Sequence, residues 1–65
     1  MIKVARLNGT EFIINSNQIE IMESTPDTTI TLVTGRKYIV AQPIEEVIQL
    51  IKDYNKEIFQ EKKNG

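Results

Sequence analysis

The chain has 65 residues, enough for one domain and too few for a two-domain enzyme with a deep cleft. It contains no cysteine and no histidine. This excludes disulfides, thiolate nucleophiles and His-dependent triads within the chain, and removes the commonest metal ligand and general base. Eight basic residues against nine acidic ones leave a net charge of −1, unlike the basic balance typical of nucleic-acid binders.

The chain is 40% hydrophobic and 26% charged, which is typical of a globular domain. No apolar run approaches the roughly 20 residues of a membrane-spanning helix, and the first residues lack the apolar region of a signal peptide. We therefore expect a cytoplasmic protein without a membrane span. Domains this small are marginally stable alone, which favours association with a partner or a second copy.

Residues 1–42 alternate between apolar and polar side chains, as strands do. Turn signals at Asn8-Gly9, Pro26-Asp27 and Thr34-Gly35, with an expected Asx turn at Asn15-Ser16-Asn17, separate the strands. The five predicted strands are 2–7, 11–15, 19–24, 28–33 and 37–41. Because the connections are too short for parallel crossovers, we expect antiparallel pairing.

The parity of the core-facing apolar residues, that is, whether their numbers are odd or even, predicts the loop lengths. A three-residue loop at Leu7-Asn8-Gly9 places Val4 opposite Phe12 and keeps the apolar side chains on one face, with the glycine at positive φ. The second glycine loop, Val33-Thr34-Gly35, repeats this pattern at a spacing of 26 residues, with Ile30 opposite Tyr38.

The Pro26-Asp27 connection needs a different length under the same argument. An even-numbered loop with Pro26 at the second position of a type I turn places Ile19 and Ile21 on the face of Ile30 and Leu32. The predicted sheet core is Ile2, Val4, Phe12, Ile14, Ile19, Ile21, Ile30, Leu32, Tyr38 and Val40.

Residues 43–61 carry a helical apolar period. Pro43 is suited to the first helical position, and Glu45 and Glu46 oppose the positive helix end. The chain is thus predicted to be one α+β domain, residues 1–65. A small antiparallel sheet of about five strands, open or partly closed as a barrel, precedes one C-terminal helix.

Sheet and helix carry more apolar surface than one contact between them needs. We predict that the surplus forms a homo-oligomer or partner-binding patch, unless barrel closure hides it. The residues of this predicted apolar patch are Leu7, Ile13, Met22, Val33, Ile39, Leu50 and Phe59.

No constellation for catalysis, metal or cofactor binding stands out, and none is expected. Glu20, Glu23 and Asp27 are the tightest acidic group among the strands, but surface positions explain them better than acid–base or calcium chemistry. Phe12 and Tyr38 could stack nucleic-acid bases, although their even-numbered positions place them on the core face of the sheet.

Particular residues carry a family resemblance. They are Arg6-Leu7-Asn8-Gly9, Ile14-Asn15, Ile19-Glu20, the stretch 23–32, Gly35, Val40 and Glu46-Val47. In this order they closely resemble the flagellar FlbD family of small bacterial proteins, over about residues 1–54.

The resemblance implies a non-enzymatic accessory protein of flagellar motility, tied to swarming and motor torque. It implies a cytoplasmic location, at the flagellar base, and a protein partner such as a motor or stator component. The polar motif positions least explained by folding are Arg6, Asn15, Glu20 and Glu23, which we take as the candidate partner surface. A nucleic-acid-binding or regulatory module and a structural oligomer-forming subunit remain the alternatives.

Overall fold

The computed structural model describes the backbone of residues 1–64 and the side chains of residues 1–57. The elements in chain order are β1 (Ile2–Ala5), β2 (Glu11–Ile14), a short 3-10 helix (Ser16–Gln18), β3 (Ile19–Glu23), β4 (Thr28–Leu32), β5 (Lys37–Val40) and α1 (Ile44–Asn64). The predicted α+β fold, with five antiparallel strands and one C-terminal helix, is confirmed. The strands form a two-stranded sheet, β1-β2, and a three-stranded sheet, β3-β4-β5, and they do not close into a barrel.

Both glycine hairpins have the predicted loops and registers. Val4 pairs with Phe12 and Ile30 pairs with Tyr38. Gly9 and Gly35 have φ of 91° and 94°. Their N–H groups donate to carbonyls three residues earlier, at 2.9 and 2.8 Å. The 26-residue repeat in the sequence is therefore a repeat of hairpin geometry.

The predicted register of β3 is only half right. Ile19 pairs with Leu32, but a bulge follows, and Met22 then pairs with Ile30. One extra residue in a strand moves all later side chains to the opposite face. As a result Met22 packs against the core, and Ile21 is 48% exposed.

The connection from β3 to β4 also differs from the prediction. Because Glu23 pairs with Thr29, an odd number of residues lies between the two partners, not an even one. The Thr25–Pro26 peptide bond is cis, whereas the predicted type I turn has a trans proline at its second position.

The two sheets meet where β1 ends and β5 ends. The Ala41 N–H donates to the Ala5 carbonyl (2.7 Å), and the Ala5 N–H donates to Oε1 of Gln42 (3.0 Å). The Phe12 and Tyr38 rings, one from each sheet, lie 5.4 Å apart. The two sheets are therefore joined by hydrogen bonds at their strand ends and by the packing of these two rings.

The core lies between the sheets and α1, which packs on β1. Its buried apolar residues are Ile2, Val4, Ile14, Ile30, Val40 and Val47, with Phe12, Ile19, Met22, Leu32, Tyr38, Leu50, Ile51 and Tyr54 packed against them. The predicted sheet core is thus confirmed except for Ile21, which Met22 replaces.

The helix begins one residue later than predicted. The Pro43 carbonyl accepts hydrogen bonds from the N–H groups of Glu46 and Val47 (3.0 and 3.1 Å), so Pro43 lies just before the first helical residue. Glu45 and Glu46 lie in the first turn as predicted, where carboxylates oppose the positive end of the helix dipole.

Candidate functional site

An open groove separates the β1–β2 loop from β5. It has a volume of about 450 Å³ and is lined by Arg6, Leu7, Asn8, Lys37, Tyr38 and Ile39. Half of the lining residues belong to the β1–β2 loop, which follows Ala5, and half belong to β5, which precedes Ala41. Because Leu7 and Ile39 are 62% and 48% exposed, apolar surface faces solvent here.

Arg6 covers the aromatic pair at the edge of this groove. Its Cζ lies 4.6 Å from the centre of the Phe12 ring and 5.8 Å from that of Tyr38. A guanidinium over an aromatic face is attracted by the negative potential of the ring. This contact with the two rings gives Arg6 a structural role, although the residue remains exposed to solvent.

The other three residues of the predicted partner surface lie on β3 or just before it. Asn15 caps the 3-10 helix, and its Oδ1 accepts the Asn17 N–H at 3.0 Å, which confirms the predicted Asx turn. Glu20 is the residue skipped by the pairing at the bulge, and Glu23 pairs with Thr29. Both carboxylates are exposed, on a strand at the sheet edge opposite β5.

The predicted apolar patch divides into three groups. Leu7, Ile13, Val33 and Ile39 are exposed, as an interaction surface requires. Met22 and Leu50 are half-buried and pack against the core, so they are not surplus surface. Met22 was misplaced because of the bulge, and Leu50 because its side of the helix also meets the core. The side chain of Phe59 lies outside the described residues.

The structure gives no support to an acidic metal site. Within residues 1–57, no group of three or more carboxylates is placed to hold an ion.

Phe12 and Tyr38 are half-buried, as their even-numbered positions predicted, and Arg6 lies over the Phe12 ring. No helix in the described part of the chain has the length and hydropathy needed to cross a bilayer.

Sequence reasoning did not single out Lys37 or Gln42. Lys37 is a second cation in the groove beside Arg6. Gln42 supplies the side-chain acceptor that ties β1 to the segment before α1. No local pattern marks either role, because both depend on residues more than thirty positions away in the chain.

Comparison with known protein families gives a match to most of the chain. The model of the FlbD family, described as flagellar and swarming motility proteins, matches residues 1–59. Neither the curated proteins nor the solved structures contain a significant match to the sequence. The family match includes every element that lines the groove. The chain therefore belongs to the FlbD family of flagellar and swarming motility proteins.

Proposed function

We propose that this chain is a non-enzymatic accessory protein of flagellar motility that supports swarming and motor torque by binding a protein partner. The partner is a component of the motor or its stator that faces the cytoplasm, and the chain acts at the flagellar base. Membership of the FlbD family supports the motility role. The exposed groove, with two cations and apolar side chains, is the observation that supports contact as the mode of action.

A contact protein can change a motor only by binding one of its states more tightly than another. The sequence offers no histidine or cysteine for nucleophilic or general-base chemistry. A small domain with an open surface groove is suited to this kind of differential binding. Torque should therefore depend on surface residues that can be replaced without unfolding the protein.

Gene deletion with complementation tests this function. We expect the deletion strain to keep its flagella but to lose swarming and motor torque, and the wild-type gene to restore both. Normal swarming and torque in the deletion strain would contradict the proposal. Loss of flagella would point instead to a role in assembly or regulation.

Surface variants in the complementing gene show which face makes the contact. Lys37→Glu changes the groove, whereas Glu20→Lys and Glu23→Lys change the opposite sheet edge. Lys3→Glu is the matched control, because Lys3 is an exposed strand lysine paired with Ile13, outside the groove lining. Each variant needs an unfolding curve like that of the wild type before its effect on torque is interpreted.

Self-association is the second candidate. Leu7, Ile13 and Val33 are each more than half exposed, and large exposed side chains of this kind are typical of interfaces when they are contiguous. Light scattering at increasing protein concentration should then show a dimer or larger species. A monomer at all concentrations would remove this candidate and leave the heterologous partner.

A further inference from the structure

The groove runs along an edge of the three-stranded sheet. We propose that it binds an extended, acidic segment of the partner protein, which adds to β5 as a further strand. This inference rests on the proposed function and specifies what the partner presents. Strand addition at an open sheet edge uses main-chain hydrogen bonds for affinity and side-chain contacts for specificity.

The hydrogen-bonding pattern of β5 shows which backbone groups face the groove. At the hairpin loop the Leu32 N–H donates to the Arg36 carbonyl, and in an antiparallel pair such bonding recurs at every second residue. The even-numbered residues of β5 therefore bond to β4. The backbone groups of Lys37 and Ile39 point away from β4, toward the groove.

This outward row is only partly occupied. The next residue in the row, Ala41, donates its N–H to the Ala5 carbonyl at 2.7 Å. Among the described residues, no backbone hydrogen bond reaches the outward groups of Lys37 and Ile39. β1 and β5 thus meet at one point and leave an open edge that a segment of about three residues, roughly 10 Å long, can pair with directly.

The charges of the groove select the partner segment. Of the six residues that line it, Arg6 and Lys37 are cationic and none is acidic, although the whole chain is slightly acidic. Opposite charges on neighbouring strands stabilise their pairing. Leu7 and Ile39 add exposed apolar surface. An extended segment that carries both acidic and apolar side chains matches both features.

Two other occupants fit less well. A second copy of this chain, paired through the same edge, would bring two sets of Arg6 and Lys37 together, and like charges on adjacent strands are destabilising. A single-stranded nucleic acid needs open aromatic faces for its bases. Here Arg6 lies over the Phe12 ring, and Tyr38 is half-buried against the core.

Peptide titrations followed by NMR test the inference on the full chain. The probe is the peptide Thr-Val-Glu-Val-Glu-Val-Thr, and its matched control has lysine in place of glutamate. We expect the acidic probe to shift the backbone amide signals of Lys37 and Ile39, and to bind roughly five- to tenfold more tightly than the control. Equal binding of the two peptides, or shifts confined to β3, would overturn the proposal.

Methylated probes test the strand pairing itself. Two versions of the acidic peptide carry N-methyl groups on alternate residues, one on the odd and one on the even positions. Only one set of N–H groups can face β5, so one version should lose binding and the other should keep it. Similar effects from both versions would rule out strand addition.

Protein variants and two further probes complete the test. Lys37→Glu should weaken the acidic probe by roughly five- to tenfold, whereas Lys3→Glu should leave it unchanged. Tighter binding of a single-stranded oligonucleotide than of the acidic peptide, or a dimer in light scattering whose formation prevents the peptide from binding, would identify a different occupant and overturn the proposal.

The result is independent of the motility experiment. Loss of torque on deletion, without peptide binding at the groove, would keep the proposed function and place the contact elsewhere. Peptide binding at the groove with normal motor torque in the deletion strain would keep the groove as a strand-binding site and overturn the motility role.

Discussion

Gly9 and Gly35 have backbone angles that residues with a side chain rarely adopt. Their φ values of 91° and 94° lie in the left-handed region, where a Cβ approaches the neighbouring carbonyl. A Cβ built at either position meets no atom within 4 Å beyond the two adjacent residues. A substitution therefore costs free energy through the strained backbone conformation and not through crowding by other parts of the fold.

We expect Gly9→Ala and Gly35→Ala each to lower the free energy of unfolding by about 1 kcal/mol. Asparagine tolerates positive φ better than alanine, so Gly35→Asn should cost less than Gly35→Ala. Urea denaturation gives these values. Thr34→Ala, an exposed loop change at negative φ, is the control, and a Gly35→Ala protein as stable as the wild type would contradict the argument.

At the scale of elements, the bulge in β3 decides which side chains enter the core. Ile21 is 48% exposed and Met22 packs inside, the reverse of what strict alternation from Ile19 predicts. Ile21 and Met22 are adjacent and both apolar, so either side chain is suited to this position in the core. The register of the pairing with β4 places Met22 there.

Matched threonine substitutions test the bulge. Met22→Thr should lower the free energy of unfolding by about 1 to 2 kcal/mol, because it removes packed apolar atoms and places a hydroxyl against the core. Ile21→Thr should change it by less than about 0.5 kcal/mol, since the site is exposed and threonine suits strands. If Ile21→Thr proved the more damaging change, the bulge would be misplaced.

The helix contributes to stability through one side. Val47 is fully buried while Ile48, the next residue, is 38% exposed. We expect Val47→Ala to lower the free energy of unfolding by about 2 kcal/mol through the lost contacts and the cavity it leaves. Ile48→Ala should cost less than about 1 kcal/mol, because alanine favours the helix. Thermal unfolding of the pair distinguishes the two sites, and equal losses would argue against this helix orientation.

At the scale of the whole molecule, the shape is elongated. The radius of gyration is 12.7 Å, against about 10.7 Å for a compact domain of this length. The accessible surface is 4812 Å², against roughly 4,200 Å² expected for the mass. The longest axis is 41 Å, and the longest element is the 21-residue helix, about 31 Å long.

The junction between the sheets includes a hydrogen bond between the side chain of Gln42 and β1. Gln42→Ala leaves the Ala5 N–H without its side-chain acceptor, in a half-buried position. We expect this to lower the free energy of unfolding by about 1 to 2 kcal/mol. The control is Gln49→Ala, which removes only the exposed helical hydrogen bond to Asp53. Urea unfolding of both variants, with no greater loss for Gln42→Ala, would show that the junction contributes little.

The hairpins were predictable from the sequence because their determinants are local. Gly9 and Gly35 set the loop conformation, and the parity of residues such as Val4 and Phe12 allows one register. The Asx turn at Asn15 and the start of the helix near Pro43 depend on neighbouring residues in the same way. Family membership was predictable too, because it rests on the order of residues.

Only the tertiary structure decided the bulge, the separation into two sheets and the groove. Each depends on contacts between distant parts of the chain, such as Ala5 with Ala41 and Arg6 with Tyr38. The energy of these contacts is set by how the sheets pack around a shared core, and no short sequence pattern records that. The sequence therefore determined the hairpins and the helix, while packing decided which edge of the sheet keeps unpaired backbone groups.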